Sequence, residues 1–330
     1  MFSLSELASY ISMSEIPDSW KNCKQQIDDN YTEDWLDLFD FEYMISFYEF
    51  DDDFKKRFIK EVQLLNKDNK LNYLCYLMYY ILYKADAKNY YNIWSWKSPS
   101  SVFKDNGSYM IPVVALLCGY KVHIENINLR NYDDEQIRLQ KYNIRLTCTS
   151  DQKRFNMDGI RFSQMIWGSF FIKGNLIQIG RLQYEIGVKN FSKIDKYFSE
   201  PHVYIYIHIP ARGRLEYDEV KDSLNAVSEY IKRYYKELDD KLLAYYTQSW
   251  LLSPEVAEII PEDSNIMKFQ NLFNIIEHEE NLDDFLNFIF NEPNEVGDYS
   301  LLRENTSLQR ELKKRLLNGD KLHLGLGFIK

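Results

Sequence analysis

The chain has 330 residues, of which 45% are apolar and 27% charged, and its 50 acidic against 40 basic side chains give a net charge of −10. This length favours two domains, and this composition excludes an intrinsically disordered protein. Because the balance is acidic and no run of five basic residues occurs, nucleic acid is not expected as a partner.

The cysteines indicate whether a metal site or disulfides are expected. The apolar segments indicate whether a helix could cross a membrane. The four cysteines stand far apart and form no C-x-x-C pair, so neither a zinc site nor a disulfide framework is expected. Reduced thiols favour a cytoplasmic location. The N-terminus has no signal-peptide pattern, and the most apolar helix candidate, residues 71–83, is too short to span a bilayer. We therefore expect no metal and no membrane partner.

Residues 1–150 are predicted to form a helical domain. The first helix opens at Ser3 and Glu6, which have the spacing of a capping box. Four further segments are predicted to be helices from their apolar side chains. These segments are residues 51–66, 71–84, 109–118 and 132–140.

Residues 151–330 are predicted to alternate strands with helices, which is typical of a domain with a covered sheet. The predicted strands are residues 175–188, as one strand or a bent pair, 203–209, 242–252 and 322–329. Helices are predicted to begin near residues 216, 254 and 264 and to span 282–290 and 306–317. Residues 272–277 fit either a strand or the end of a helix. The expected fold class is α+β, with domains 1–150 and 151–330.

The segment 203–235 joins a strand to an amphipathic helix through a turn at residues 210–215. Such a junction presents free backbone N–H groups and the positive end of the helix dipole, which can hold an anion. Arg212 and Arg214 could pair with phosphate oxygens, and Gly213 would let the backbone approach them closely. These features favour a phosphate-binding turn.

The start of the following helix supports a different interpretation of this turn. Glu216, Asp218 and Glu219 fill the first helical turn, complement its dipole and would repel an anion. In that case residues 210–215 form only a structural turn. The residues alone leave both interpretations open.

His208 is a candidate general base at the end of the predicted strand. By alternation it shares a strand face with Tyr204 and Tyr206. A histidine titrates near neutral pH and could accept a proton from a substrate. The alternative is a hydrogen-bonded histidine with a structural role.

Other candidate site residues lie on neighbouring predicted strands. Arg181, Gln183 and Glu185 share one strand face, and Glu185 could act as a base if it is desolvated. The alternative is a solvated or ion-paired face. Ser249 and Trp250 end a strand near a helix start, where ligand-facing residues often collect, although Trp250 also fits the core.

Short motifs occur in a fixed order along residues 180–319. They are Gly180-Arg181-Leu182-Gln183-Tyr184-Glu185, His208-Ile209-Pro210, Ser223-Leu224, Ser249-Trp250-Leu251-Leu252-Ser253-Pro254, Ser264-Asn265-Ile266 and Thr306-Ser307-Leu308-Gln309. In this order and spacing the chain resembles a bacterial family of acyltransferases. Members of that family pair a helical N-acyltransferase-type N-terminal domain with a GNAT-like C-terminal domain. The resemblance covers most of residues 151–330 and is looser over the helical half.

The resemblance implies an all-helical N-terminal domain followed by a GNAT-like mixed-sheet domain that uses acetyl-CoA or another acyl-CoA. In GNAT proteins a strand splays from its neighbour and exposes backbone groups to the pantetheine, and the next helix start holds the pyrophosphate. The equivalent cofactor-binding residues here are Ile209, Ala211, Arg212, Gly213, Arg214 and Leu215. The chain departs from the family loop in having only Gly213 where the pattern has two small residues.

Two functional hypotheses follow from the resemblance and the residues together. The first is an N-acyltransferase that moves an acyl group, such as acetyl, from acyl-CoA to an amine of a small molecule or peptide. Glu185 or His208 would take the proton of the amine. The remaining candidates, Arg181, Gln183, Ser249 and Trp250, would contact the substrate.

The second hypothesis is a non-enzymatic module that binds a ligand or a protein on a degenerate GNAT-like fold. The single glycine of the loop favours this hypothesis. So does the lack, along the sequence, of a paired acid and base.

Overall fold

The structure of the chain is a computed structural model. It describes residues 2–11, 13, 15–85, 110–155, 158–188, 192–210, 213–292 and 296–329. The chain divides into two compact units, Met1–Gly174 and Asn175–Lys330. The first unit is helical and the second contains the sheet, which confirms the predicted α+β fold class.

The described part of the first unit consists of helices and their connections. The helices are α1 (Leu4–Tyr10), α2 (Asp18–Asn30), α3 (Phe41–Phe47), α4 (Asp52–Leu65), α5 (Asn69–Tyr83), α6 (Met110–Leu117), α7 (Tyr120–Arg130), α8 (Asp134–Phe155) and α9 (Phe162–Ile172), with a 3-10 turn at Trp35–Leu38. The four segments predicted as helices coincide with α4, α5, α6 and the first part of α8.

Side-chain caps determine where several of these helices begin. Ser3 Oγ accepts the Glu6 N–H, and the Glu6 carboxylate accepts the Ser3 N–H, which completes the predicted capping box. Asp51 caps α4 by accepting the N–H of Phe54 at 2.8 Å. Each such cap contributes about 0.5–2 kcal/mol to helix stability.

The helical unit extends beyond the position predicted from the sequence. Residues 151–174 belong to it because α9 packs against α8 and α6, so the first unit ends at Gly174 rather than at residue 150. No single helix in the described ranges is long and apolar enough to cross a membrane. The pair α6 and α7, bent by 42°, passes that test together, and every residue of α6 is buried in this unit.

The second unit is built on a six-stranded mixed sheet with the order β1-β2-β3-β4-β6-β5. Its strands are β1 (Leu176–Ile179), β2 (Leu182–Val188), β3 (Val203–His208), β4 (Leu243–Ser249), β5 (Asn274–Glu280) and β6 (His323–Ile329). β3 and β4 run parallel, and all other neighbouring strands are antiparallel. The segment 175–188 is thus a pair of strands, and residues 272–277 belong largely to a strand.

Helices connect and cover this sheet. They are α10 (Ser192–Asp195), α11 (Tyr217–Tyr234), α12 (Pro254–Ala257), α13 (Asn265–Gln270), α14 (Leu282–Phe285), which continues as a π-helical turn at Leu286–Phe290, and α15 (Ser307–Leu317). Short 3-10 turns lie at Lys236–Leu238, Trp250–Leu252 and Tyr299–Leu301. α11 supplies the crossover that a parallel strand pair requires. It is held to the sheet by a hydrogen bond between the hydroxyls of Ser223 and Tyr184 at 2.9 Å.

Close backbone packing explains the Gly325-Leu326-Gly327 sequence of β6. A Cβ atom on Gly325 would lie only 2.2 Å from the carbonyl oxygen of Leu252, and one on Gly327 would lie 2.9 Å from Phe273 Cβ. The glycines therefore let the 3-10 turn after β4 pack directly on β6.

Candidate active site at the open end of the sheet

Strand directions bring most of the candidate residues to one end of the sheet. β3 and β4 are parallel, and β4 and β5 both run antiparallel to β6, so β3, β4 and β5 end on the same side. The β1–β2 turn lies there too, because Gln183 pairs with His208. We call this side, where β3, β4 and β5 end, the open end of the sheet.

The two central strands separate at the open end. β3 and β4 pair only from Val203 with Leu243 to Tyr206 with Tyr246. Beyond this point β3 still pairs with β2 as far as His208, and β4 still pairs with β6 as far as Ser249. Beyond Tyr206, β3 therefore remains paired with β2 and β4 remains paired with β6, while β3 and β4 no longer pair with each other. We call the resulting opening between β3 and β4 the splay.

Tyr206 bridges the splay with its side chain. Its hydroxyl donates a hydrogen bond to the backbone carbonyl of Gln248 on β4 at 3.0 Å. Its ring stacks on Tyr246 with centroids 4.8 Å apart and lies 4.2 Å from the His208 ring. Tyr206 therefore gives Gln248 a hydrogen bond at a point where the β3–β4 ladder has already ended.

Glu185 and His208 form a hydrogen-bonded pair beside the splay. The register of β2 on β3 sets Glu185 opposite Tyr206, so that Glu185, Tyr206 and His208 share one face. His208 Nε2 lies 2.9 Å from Glu185 Oε2, and the two side chains are 19% and 13% exposed. Among the described residues no lysine or arginine pairs with Glu185. The structure thus supplies the paired acid and base that is not visible along the sequence.

Asp284 on α14 is a half-buried carboxyl whose charge acts on Tyr206, and no local pattern in the sequence indicates it. Burial, followed by the neighbouring charge of Asp283, raises the pKa of Asp284 to about 6. Burial also raises the pKa of Tyr206, and the charges of Asp284 and Glu185 raise it further. No hydrogen-bond donor to the Asp284 carboxylate occurs within the described ranges.

Asp284→Asn should make the stability of the protein depend less on pH between about pH 4 and 8. A carboxyl whose pKa is raised by folding binds more protons in the folded than in the unfolded state between about pH 4 and 6, so its contribution to stability falls as pH rises through this window. Because asparagine does not ionise, the free energy of unfolding of the variant relative to wild type should increase by about 1–3 kcal/mol from pH 4 to pH 8. Urea unfolding at the two pH values measures this change. An equal difference at both pH values would contradict the assignment.

The described part of the turn after β3, from Gly213 to Leu215, is tied to the β1–β2 turn. Gly213 has φ of 67°, a left-handed conformation that favours glycine, and an added Cβ would meet no atom within 4 Å. Arg181 Nε donates to the carbonyl of Arg214 at 3.0 Å and so ties the β1–β2 turn to this segment. The predicted residues Ile209 and Leu215 are half-buried beside it, and Arg214 is exposed. Ala211 and Arg212 lie outside the described residues.

The start of α11 bears on the choice between an anion site and a structural turn. Its N-cap residue, Glu216, makes no side-chain cap, and Glu216 Oε2 instead accepts from Asn265 Nδ2 of α13 at 3.0 Å. The first N–H groups of α11 therefore have no cap from this carboxylate. Asp218 and Glu219 remain in the first turn, as the sequence indicates.

The predicted substrate-contacting residues lie near the open end, but each already has a structural partner. Gln183 is buried and its Nε2 lies 3.4 Å from Gln178 Oε1. Ser249 Oγ accepts the Leu251 N–H and so caps the 3-10 turn. Trp250 packs against the apolar cluster around α14. Together with Arg181, these contacts position the end of β4 and the β1–β2 turn, and a role in substrate binding stays a prediction.

A shallow groove of about 510 Å³ lies between the β1–β2 turn and α11. Arg181, Glu219 and Tyr230 are among the residues that line it. In the part of the chain that the structure describes, no group of three or more His, Cys, Asp or Glu side chains is arranged to hold a metal ion. Within the described residues, this groove is one opening, besides the splay, that could take an organic ligand.

Comparisons with known proteins agree with this architecture. Residues 176–329 match the GNAT-like C-terminal domain family. No curated protein matches the chain. Solved structures of acyltransferases are similar over nearly the whole length of both chains.

Three of these structures illustrate the likeness. An acyltransferase in complex with decanoyl-CoA has a TM-score of 0.72 at 17% identity, over 99% of each chain. A mutant acyltransferase in complex with octanoyl-CoA has a TM-score of 0.74 at 15% identity, over 100% of this chain and 99% of that one. An acyltransferase with decanoyl-CoA and teicoplanin has a TM-score of 0.72 at 16% identity, with the same coverage. At these identities the likeness establishes the fold alone, and the family match identifies residues 176–329 as a GNAT-like C-terminal domain.

Proposed function

We propose that this protein is an acyl-CoA-dependent N-acyltransferase that transfers an acyl group, such as acetyl, to an amine of a small molecule or peptide. The observation that carries the proposal is the splay between β3 and β4 with the Glu185–His208 pair on one of its faces. Backbone groups released by the splay can hydrogen-bond a linear amide-containing ligand, and the pair can accept a proton beside it.

The donor would lie with its pantetheine in the splay and its pyrophosphate at the turn of residues 209–215. Gly213 keeps the backbone there free of side-chain bulk, and the N–H groups at the start of α11 can hydrogen-bond an anion. Arg214 adds a positive charge next to this position. The similar acyltransferases were solved with CoA or with octanoyl and decanoyl esters of CoA, which supports a CoA ester as donor.

In the reaction, the amine nitrogen attacks the thioester carbon. A C–N bond forms, the C–S bond breaks, and CoA leaves as a thiolate. The proton lost by the amine passes to the Glu185–His208 pair, and the thiolate acquires a proton before CoA is released. Since the two side chains are hydrogen-bonded at 2.9 Å, they accept this proton as a unit.

The acceptor class that we propose is an amine, and the reaction needs no metal. Two of the similar acyltransferases were solved with teicoplanin or a teicoplanin derivative, so a glycopeptide belongs in the first panel of amines to be tested. The proposed location is the cytoplasm, where four buried free cysteines would stay reduced.

A binding module without catalysis remains the second candidate function. The observation that favours it is the acidic first turn of α11, where Asp218 and Glu219 oppose a bound anion. The two functions separate in one assay, because a module of this kind would bind its ligand and release no CoA in the presence of any amine.

Acetyl-CoA should raise the melting temperature of the wild-type protein, and Arg214→Ala should weaken that binding. At 100 times the Kd, a ligand that binds only the folded state stabilises it by about 2.7 kcal/mol. Loss of one charge-assisted contact to the pyrophosphate should raise the Kd about 5- to 20-fold.

Lys236→Ala is the matched control for this experiment. It removes an exposed cation at the opposite end of α11 and should leave the Kd unchanged. The absence of any shift with millimolar CoA or acetyl-CoA would overturn the proposed donor.

A further inference from the structure

Tyr206 closes one face of the splay and is fixed there at several points. Its hydroxyl holds the Gln248 carbonyl across the gap, and its ring is stacked on Tyr246, which is only 2% exposed. Its other neighbour is the His208 ring at 4.2 Å. A tyrosine held by a hydrogen bond and two ring contacts does not move without loss of these interactions.

The face that Tyr206 closes is the face on which acyl transfer would take place. Glu185, Tyr206 and His208 share this face, and α11 packs on the opposite one through Ser223 and Tyr184. If the Glu185–His208 pair takes the proton of the amine, the thioester carbon must reach this side of the splay. The acyl chain then leaves the thioester next to the Tyr206 ring.

The space behind the ring is already filled. Tyr206 packs against a buried apolar cluster on the same face that includes Tyr204, Tyr246 and Phe328. A long acyl chain could enter only by displacing the Tyr206 ring, which would break the bond to Gln248 and leave a carbonyl without its donor. A two-carbon acyl group needs no such displacement.

We propose that Tyr206 determines acyl-chain length and restricts this site to short acyl groups. The inference rests on the proposed function, since it concerns the donor of that reaction. It assigns to this chain a shorter donor than the octanoyl and decanoyl esters with which the similar acyltransferases were solved. In this assignment the preference for short acyl groups comes from one side chain of β3, that of Tyr206.

Calorimetric titration of the full-length protein with CoA, acetyl-CoA and octanoyl-CoA tests this assignment. In wild type, octanoyl-CoA should bind no more than about threefold tighter than acetyl-CoA. In Tyr206→Ala, octanoyl-CoA should bind at least about tenfold tighter than it does in wild type, because the vacated space can bury the chain. The measured quantity is the change in octanoyl-CoA affinity relative to CoA and acetyl-CoA in the same variant. Tyr206→Phe keeps the ring and its stacking but loses the bond to Gln248, so its gain in octanoyl-CoA affinity should be smaller than that of Tyr206→Ala.

The outcomes separate this inference from the proposed function. If wild type binds neither CoA nor any ester, the proposed donor is wrong and the inference fails with it. If CoA binds and wild type prefers octanoyl-CoA by more than about tenfold, only the chain-length assignment is overturned. The chain-length assignment alone is also overturned if Tyr206→Phe gains as much affinity for octanoyl-CoA as Tyr206→Ala does. Tyr206→Leu, which suits a strand better, replaces Tyr206→Ala if that variant does not fold, and an unchanged preference in a folded Leu variant also overturns the assignment.

Discussion

Replacing Glu185 with glutamine should lower kcat for acyl transfer by about 10²- to 10⁴-fold and leave the Kd for acetyl-CoA within about threefold. Glutamine has the shape of glutamate and keeps an oxygen that can accept from His208 Nε2, but it cannot share a proton. Binding should persist because the donor lies along backbone groups of the splay. Release of free CoA thiol in the presence of the amine panel measures kcat, and calorimetry measures the Kd.

Glu229→Gln is the matched control, because Glu229 is exposed on α11 and outside the site. Its kcat should equal that of wild type. If Glu185 and His208 act as a unit, Glu185→Gln combined with His208→Gln should lose little more activity than the worse single variant. Independent, multiplying losses would show that the two side chains act separately, and full activity of Glu185→Gln would exclude the pair as the proton acceptor.

Phe285→Ala should lower the free energy of unfolding of the C-terminal unit by about 3–5 kcal/mol. Phe285 is 0% exposed and sits in the apolar cluster with Val256, Leu312 and Leu324. Truncation leaves a cavity between α12, α14, α15 and β6, and the surrounding elements relax only partly into it. Urea unfolding followed by far-UV circular dichroism measures the loss.

Phe288→Ala in the same helical segment provides the comparison. Phe288 is 49% exposed, so its truncation should change the free energy of unfolding by no more than about 0.5 kcal/mol. Equal losses for the two variants would mean that α14 and its π-helical turn are not anchored by Phe285.

Local features of the second unit could be predicted because their causes are local. Ser253 and Ser264 cap α12 and α13 as their positions before the helices indicate. The apolar spacing along α11 matches its buried face, which includes Val220, Val227 and Ile231. The strand and the helix within residues 203–235 therefore follow from the sequence alone.

The site itself depends on register, which the sequence does not show. Glu185 meets His208 because β2 pairs with β3 at one register, and a shift by one residue would place Glu185 on the opposite face. The end of the β3–β4 ladder after Tyr206 is likewise a property of the assembled sheet. Asp284 affects the pKa of Tyr206 from a helix far along the chain, so no local pattern could have indicated this effect.

The charges near the turn could predict its ability to bind an anion only in part, because one of them pairs with a residue distant in the sequence. The sequence shows that Glu216 starts α11, where a carboxylate normally caps the helix and opposes an anion. In the fold this carboxylate bonds to Asn265, a partner 49 residues away. Because this contact engages the Glu216 carboxylate, Glu216 repels an anion at the turn less strongly. Asp218 and Glu219 still repel one.

A crystal structure of the wild-type protein with acetyl-CoA would show where the donor binds. We expect the pantetheine to lie between β3 and β4 beyond Tyr206, with the pyrophosphate at residues 209–215 and the acetyl group facing Glu185 and His208. Acetyl-CoA bound instead in the groove between the β1–β2 turn and α11, or absent from crystals soaked at millimolar concentration, would contradict this expectation.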